Sequence, residues 1–197
     1  NEVYEALAMG RSPASDQIDM ALAGLDVALD WVPSGERYYM RAAAELERYR
    51  RMAASDSGRR VWLSRAERDL ERGLASNPAD GRAGLLLAMV RAWQGAPAGA
   101  VSVALLHSMD TAPNMRLLWL TRAVVFFAAW GALAPDEAAA VRSQLRAIWL
   151  SEPRFRLPLL QAARASARLD ELSLALIDEP TASEELKRMR GGGDSTQ

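Results

Sequence analysis

The chain has 197 residues, half of them hydrophobic, and 24 basic residues against 25 acidic give a formal net charge of −1. That length suits one domain or one array of repeats, and so even a balance argues against a general nucleic-acid binder, which needs surplus cations to displace phosphate counterions. Cysteine is absent, which excludes disulfides, thiolate metal sites and cysteine nucleophiles.

Residues 1–15 read as an N-terminal extension, in which Val3, Tyr4 and Leu7 suit a short helix ended by Gly10 and Pro13. A helix is predicted from Asp16 to Asp30, with Ser15 or Asp16 as N-cap and an apolar stripe of Ile18, Leu22, Leu25 and Leu29. Pro33-Ser34-Gly35 separates it from a longer helix over Glu36–Ala54, which Ser55-Asp56-Ser57-Gly58 breaks. Helix follows over Arg60–Ala75. Asp80 caps the next, which ends near Gly95, and Pro97–Met109 is another. Met115–Trp130 is the most apolar helix, with Gly131 at the expected C-terminal glycine position. Pro135-Asp136-Glu137 has the proline and acidic first turn of a helix running to Leu150. Helices over Pro153–Ala167 and Asp170–Ile177 come next. Residues 181–190 read as a C-terminal helix with Thr181 or Ser183 as cap, and 191–197 as a disordered glycine-rich tail. No segment alternates as a strand does, so the fold class is all-α, with short connections that force antiparallel helix hairpins.

One pattern recurs through 16–180. Pro33 follows Leu25 and Leu29, Pro78 follows Leu70 and Leu74, and Pro113 follows Leu105 and Met109. Pro153 follows Leu145 and Trp149, and Pro180 follows Leu172 and Leu176. Steps of four place these residues on one helix face, and the proline stops the helix. Twelve residues before the prolines stand Ala21, Ala66, Val101, Val141 and Arg168. Six residues after the first four stand Tyr39, Gly84, Trp119 and Leu159. The chain therefore resembles the tetratricopeptide (TPR) repeat, most closely in its second helix, with Gly84-Leu85-Leu86-Leu87-Ala88 nearest to the first-helix pattern. Proline spacings of 45, 35, 40 and 27 depart from the constant period, and the family's tyrosine is missing. The resemblance implies a TPR-like α-solenoid of about four to five helix pairs, the leading one lacking its first helix or taking residues 1–10 for it.

In such arrays the first helix of each pair lines a concave face. The resemblance places Arg37, Met40, Ala44 and Glu47, then Arg82, Leu85, Met89 and Ala92, on that face. It adds Leu117, Leu120, Val124 and Phe127, then Leu157, Leu160, Arg164 and Ala167. Such a groove suits an amphipathic helix, an apolar peptide or an acyl chain, with Met40 and Met89 as adaptable contacts and Arg37, Arg82 and Arg164 gripping an acidic rim. The competing expectation is that these residues are core, Met115–Trp130 being covered on both sides, or that Glu184–Arg190 fills the groove.

Other constellations carry less. The six tryptophans (31, 62, 93, 119, 130, 149) are scattered along the chain without a basic run, which favours packing over base stacking. His107 is the sole histidine and has no metal-ligand partner at helical spacing. Asp178-Glu179 and Glu184-Glu185 read as surface or helix-start acids. Arg48, Arg50, Arg51, Arg59, Arg60, Arg65, Arg68 and Arg72 are interleaved with Glu45, Glu47, Glu67, Asp69 and Glu71, which reads as a solvated salt-bridge face; an anionic-lipid or phosphate partner is the minor alternative. Phosphate-loop, dinucleotide, HExxH and EF-hand patterns do not occur.

The expectation is a non-enzymatic, TPR-like protein-interaction scaffold that binds a protein or peptide and assists assembly of a complex, without cofactor, metal or nucleic acid. The alternative is a carrier or sensor of an apolar small molecule or lipid. Self-association over an exposed apolar patch is compatible with both. Apart from Lys187 every basic residue is arginine, and with abundant alanine this usage is that of a GC-rich bacterial genome. A periplasmic place, behind a removed signal or anchor, or a cytoplasmic one is expected, by analogy with envelope-associated assembly factors. No apolar run reaches the ~20 residues needed to span a bilayer; Leu117–Trp130 comes nearest and carries Arg122.

Overall fold

The structure, a computed structural model, describes residues 13–53 and 56–191. Among these, every regular element is helical. The α-helices are α1 (Ser15–Trp31), α2 (Gly35–Arg51), α3 (Arg59–Ser76), α4 (Gly81–Gln94), α5 (Ala98–Thr111), α6 (Arg116–Ala129), α7 (Pro135–Ser151), α8 (Arg156–Ala165), α9 (Leu169–Ala175) and α10 (Pro180–Gly191). Short 3-10 turns occupy Trp130–Ala132 and Pro153–Phe155. The expected helix within residues 1–10 and the tail beyond Gly191 lie outside the described residues.

Two compact units result, divided between Pro113 and Asn114. In the first, α1 to α5 each pack on the next along the chain. In the second, α6 packs on α8 and α7 on α9.

The leucine eight residues before each proline is buried in all five cases: Leu25 is 6% exposed, Leu145 1%, and Leu70, Leu105 and Leu172 0%. Each contributes about 1.5–3 kcal/mol by leaving water. The residue four before the proline is less uniform. Leu29, Trp149 and Leu176 are buried, while Leu74 and Met109 are half-buried. Pro33, Pro78, Pro113 and Pro153 stand two residues past a helix end, as a helix stop should, whereas Pro180 opens α10.

The helix ends correct several expectations. Asp80 does cap α4, its side chain accepting from the N–H groups of Arg82 and Ala83. The N-cap of α1 is Ala14, not Ser15 or Asp16, because Gln17 folds back to accept from the Ala14 N–H at 2.7 Å. Ser34 caps α2, accepting from Arg37 N–H. Gly131 does not take the left-handed conformation expected of a terminal glycine and sits in a 3-10 turn. Gly95 does take it, with φ of 73°. Neither Thr181 nor Ser183 caps α10: the helix begins earlier, at Pro180, and the Ser183 hydroxyl donates back to the Leu176 carbonyl at 2.6 Å. Gly81 is required by close approach, since a β-carbon there would lie 2.5 Å from that of Ala112.

Candidate interaction surface

The residues predicted to line a groove divide between the units, and each set is described within its own unit. In the first unit, Leu85 is buried at 4% exposure, while Met40 and Met89 are half-buried. Arg37 is turned to a helix end. Its Nη1 donates to the Ala28 carbonyl at 3.1 Å, which also accepts from the Val32 N–H, and to the Val32 carbonyl just past the end of α1. Arg82 donates to Asp80 and, at 2.8 Å, to Glu36, with its guanidinium 4.8 Å from the Tyr39 ring centre. Burial works against the Asp80 carboxylate, but hydrogen bonds from the Arg82 side chain and from the Arg82 and Ala83 N–H groups prevail and hold it below its usual range. Ala44 and Glu47, also expected on that face, are buried.

In the second unit the same positions leave an apolar face on two packed helices. Leu117 and Val124 of α6 are 79% and 46% exposed, and Leu157 of α8 is 54% exposed. Leu120 lies half-buried between them in sequence, and Arg164 of α8 is exposed. Phe127 and Leu160 point into the core, 1% and 2% exposed. The helix is not covered on all sides, since Leu117 and Val124 meet solvent. Of its two arginines, Arg116 is exposed and pairs with Glu152 at 3.1 Å, while Arg122 is fully buried and burial pulls its pKa down to about 10. A soluble helix ordinarily keeps charge outside and leucine inside; α6 does so at Arg116 and Leu118 and departs from it at Arg122 and Leu117.

A second apolar feature of this unit escaped sequence reading. A cleft of about 690 Å³ runs between α9 and α10, floored by Leu174, Ile177, Pro180 and Leu186. Leu174 and Ile177 are 47% and 65% exposed. Lys187 and Arg190 border it and are engaged, Lys187 with Glu184 at 2.7 Å and Arg190 with the Ser173 hydroxyl at 3.1 Å.

The arginine-rich stretch is a salt-bridged face, exposed at Arg50, Arg51, Arg60, Arg68, Glu71 and Arg72, but three of its acids are buried, which the sequence does not suggest. Glu45, Glu47 and Asp69 are 1%, 5% and 3% exposed. Arg41 of α2 grips Asp69 of α3 with two bonds, Nε to Oδ2 at 2.5 Å and Nη2 to Oδ1 at 2.7 Å, and reaches Asp26 of α1 at 2.6 Å. Glu45 forms an ion pair with Arg65, Nε at 3.2 Å from Oε1, and its Oε2 is buried without a hydrogen-bond partner. Burial pushes the Glu45 carboxyl up to about 8; the Asp69 charge adds to this, and Arg65 and Arg41 oppose it.

Of the tryptophans, Trp119, Trp130 and Trp149 are buried, as packing requires. Trp93 stacks on Tyr49 at 5.6 Å, and Trp62 is half-buried beside the Arg48 and Arg65 guanidiniums. Trp31 instead stands 83% exposed. His107 is half-buried, and its Nε2 has no hydrogen-bond partner. Among the described residues no group of three or more His, Asp or Glu is placed to hold a metal ion, and no helix is long and apolar enough to cross a membrane. No protein-family model matches the chain, and neither a curated protein nor a solved structure matches it.

Proposed function

We propose that the chain is a non-enzymatic, TPR-like scaffold that holds an apolar or amphipathic segment of a partner protein during assembly of a bacterial, envelope-associated complex. The observation that carries this reading is the exposed apolar line on α6. Leu117 and Val124 face solvent while Arg122 is buried, and Leu157 is exposed on α8, which packs on α6. Exposing leucine and valine there forgoes burial worth about 1.5–3 kcal/mol per side chain, which a partner restores. The solenoid arrangement itself belongs to this proposal. Its support is the burial of the five leucines before the prolines and the packing of α6 with α8 and of α7 with α9.

Leu117→Glu is expected to leave circular dichroism and thermal unfolding unchanged, because the side chain is already in water. It should reduce recovery of a specific partner from source-cell extract at least about tenfold. Equal recovery by the wild type and the variant, or no reproducible partner at all, refutes the scaffold.

A second reading is favoured by the cleft between α9 and α10, whose volume suits a lipid tail or other apolar small molecule. Native mass spectrometry of the purified chain separates the two. A co-purifying lipid lost on Ile177→Glu supports a carrier, and a clean protein mass supports the scaffold.

A further inference from the structure

The helix α1 is apolar on two opposite faces, and the first unit uses only one. Ile18, Leu22, Leu25 and Leu29 are buried against the unit. On the other side Met20, Val27 and Trp31 are 74%, 59% and 83% exposed. Gly24 completes that line, and nothing lies within 4 Å of where its β-carbon would be. The steps Met20–Gly24–Val27–Trp31 are four, three and four residues, the alternation that keeps a seam facing one partner helix in a coiled coil. Gly24 in the middle lets a second helix backbone come close, and the three large side chains around it supply knobs.

Charge selects the partner. Asp16, Asp19, Asp26 and Asp30 all lie along one edge of this seam, and α1 has no arginine or lysine. Asp19 and Asp26 are paired with Arg48 and Arg41 of α2, yet their side chains remain 52% and 49% exposed. Among the described residues Asp16 and Asp30 make no ion pair. A second copy of the chain would bring the same helix, without one cation to meet this edge. Residues 1–12 carry Glu2 and Glu5 against one arginine, Arg11, and offer no better match.

We infer that the outer face of α1 docks an amphipathic helix of a partner protein whose apolar seam is flanked by arginine or lysine. This rests on the scaffold reading but uses a different face from that of α6 and α8. Like charge on the wrong partner disfavours it, so the acidic edge confers selectivity as well as attraction.

The test uses the full chain and a fluorescently labelled synthetic helix of about 18 residues with a leucine seam and Arg/Lys flanks, beside the same peptide with Glu flanks. The basic peptide is expected to bind with a Kd of about micromolar order, at least about tenfold tighter than the acidic one. Val27→Glu and Asp30→Arg should each weaken it by about tenfold or more with helicity intact. Equal affinity for the two peptides, no binding, or an unaffected Val27→Glu variant overturns the assignment. So does a dimer in sedimentation that Val27→Glu disperses, which would make a second copy the occupant. Binding gained only on deleting residues 1–12 overturns it too, by naming that segment. If Leu117→Glu abolishes partner capture while Val27→Glu changes nothing, the scaffold stands and the α1 seam falls.

Discussion

Arg41→Ala is expected to lower the stability of the first unit by about 3–5 kcal/mol, among the largest losses any single substitution in this chain should cause. The argument is one of unpaired charge. Asp69 is 3% exposed, and both its oxygens are met by Arg41, at 2.5 and 2.7 Å. The same guanidinium holds Asp26, so α1, α2 and α3 share one cation. The Asp69 hydrogen bonds, chiefly, raise the Arg41 pKa against the opposing effect of burial, and the side chain stays charged throughout. Truncation leaves the Asp69 carboxylate in the interior without its partner, close to a second buried acid, Glu45. Hydrogen exchange of the α2 and α3 amides in the full chain reads this loss, and the two-residue change Arg41→Met with Asp69→Leu should recover most of it, since the cost lies in the orphaned charge. A loss confined to about 1 kcal/mol would mean that water reaches Asp69 freely.

Glu45→Gln is expected to act in the opposite direction and to depend on pH. The folded chain holds the Glu45 proton up to about 8, against an ordinary value of 4.5. Below about 4.5 the group is protonated folded and unfolded alike, and it costs nothing. Between 4.5 and 8 the unfolded chain releases the proton while the folded chain keeps it, so stability falls as pH rises. Above about 8 the penalty is complete. At pH 8.5 the glutamine variant should therefore exceed the wild type by about 4–5 kcal/mol, and near pH 4.5 the two should converge. Urea unfolding across that range checks it; parallel curves for the two proteins would show that Glu45 is ionised in the folded state. The pH-dependence from Asp80 does not confuse the result. Its lowered carboxyl contributes stability that is lost only as pH falls below about 3.8.

The ladder of Leu25, Leu70, Leu105, Leu145 and Leu172 was legible because helical period and proline stops are local, and one buried stripe per helix follows from them. The capping of α4 by Asp80 was legible for the same reason. What sequence could not supply was partnership between distant helices. Glu45, Glu47 and Asp69 look like rungs of a solvated ladder, since their neighbours along the chain are arginines. Their burial is decided by α1, α2 and α3 packing together, with Arg41 and Arg65 arriving from adjacent helices. The face of α6 failed differently. With leucine, valine or phenylalanine on every side, periodicity gives no orientation, and nothing in the sequence marks Arg122 as buried. The seam on α1 could have been found. Met20, Val27 and Trp31 recur at heptad-like steps of seven and four opposite the stripe of Ile18, Leu22, Leu25 and Leu29, a second apolar line on one helix.

The predicted inner surface survives unevenly. Leu85, Phe127 and Leu160 belong to cores, and Arg37 and Arg82 are committed to helix ends and to carboxylates. Leu117, Val124 and Leu157 remain available at the positions the repeat resemblance gave them. The function proposed for the chain rests on these three more than on the rest of the set.

The most direct measurement is therefore photo-crosslinking from that face in living cells. A benzophenone side chain placed at Val124, with a matched one at exposed Gln94 as control, should yield from position 124 alone a discrete adduct with one other protein, mapped to an amphipathic segment of it. Adducts with lipid only, equal labelling from both positions, or no adduct from position 124 would contradict a protein-binding role for this surface.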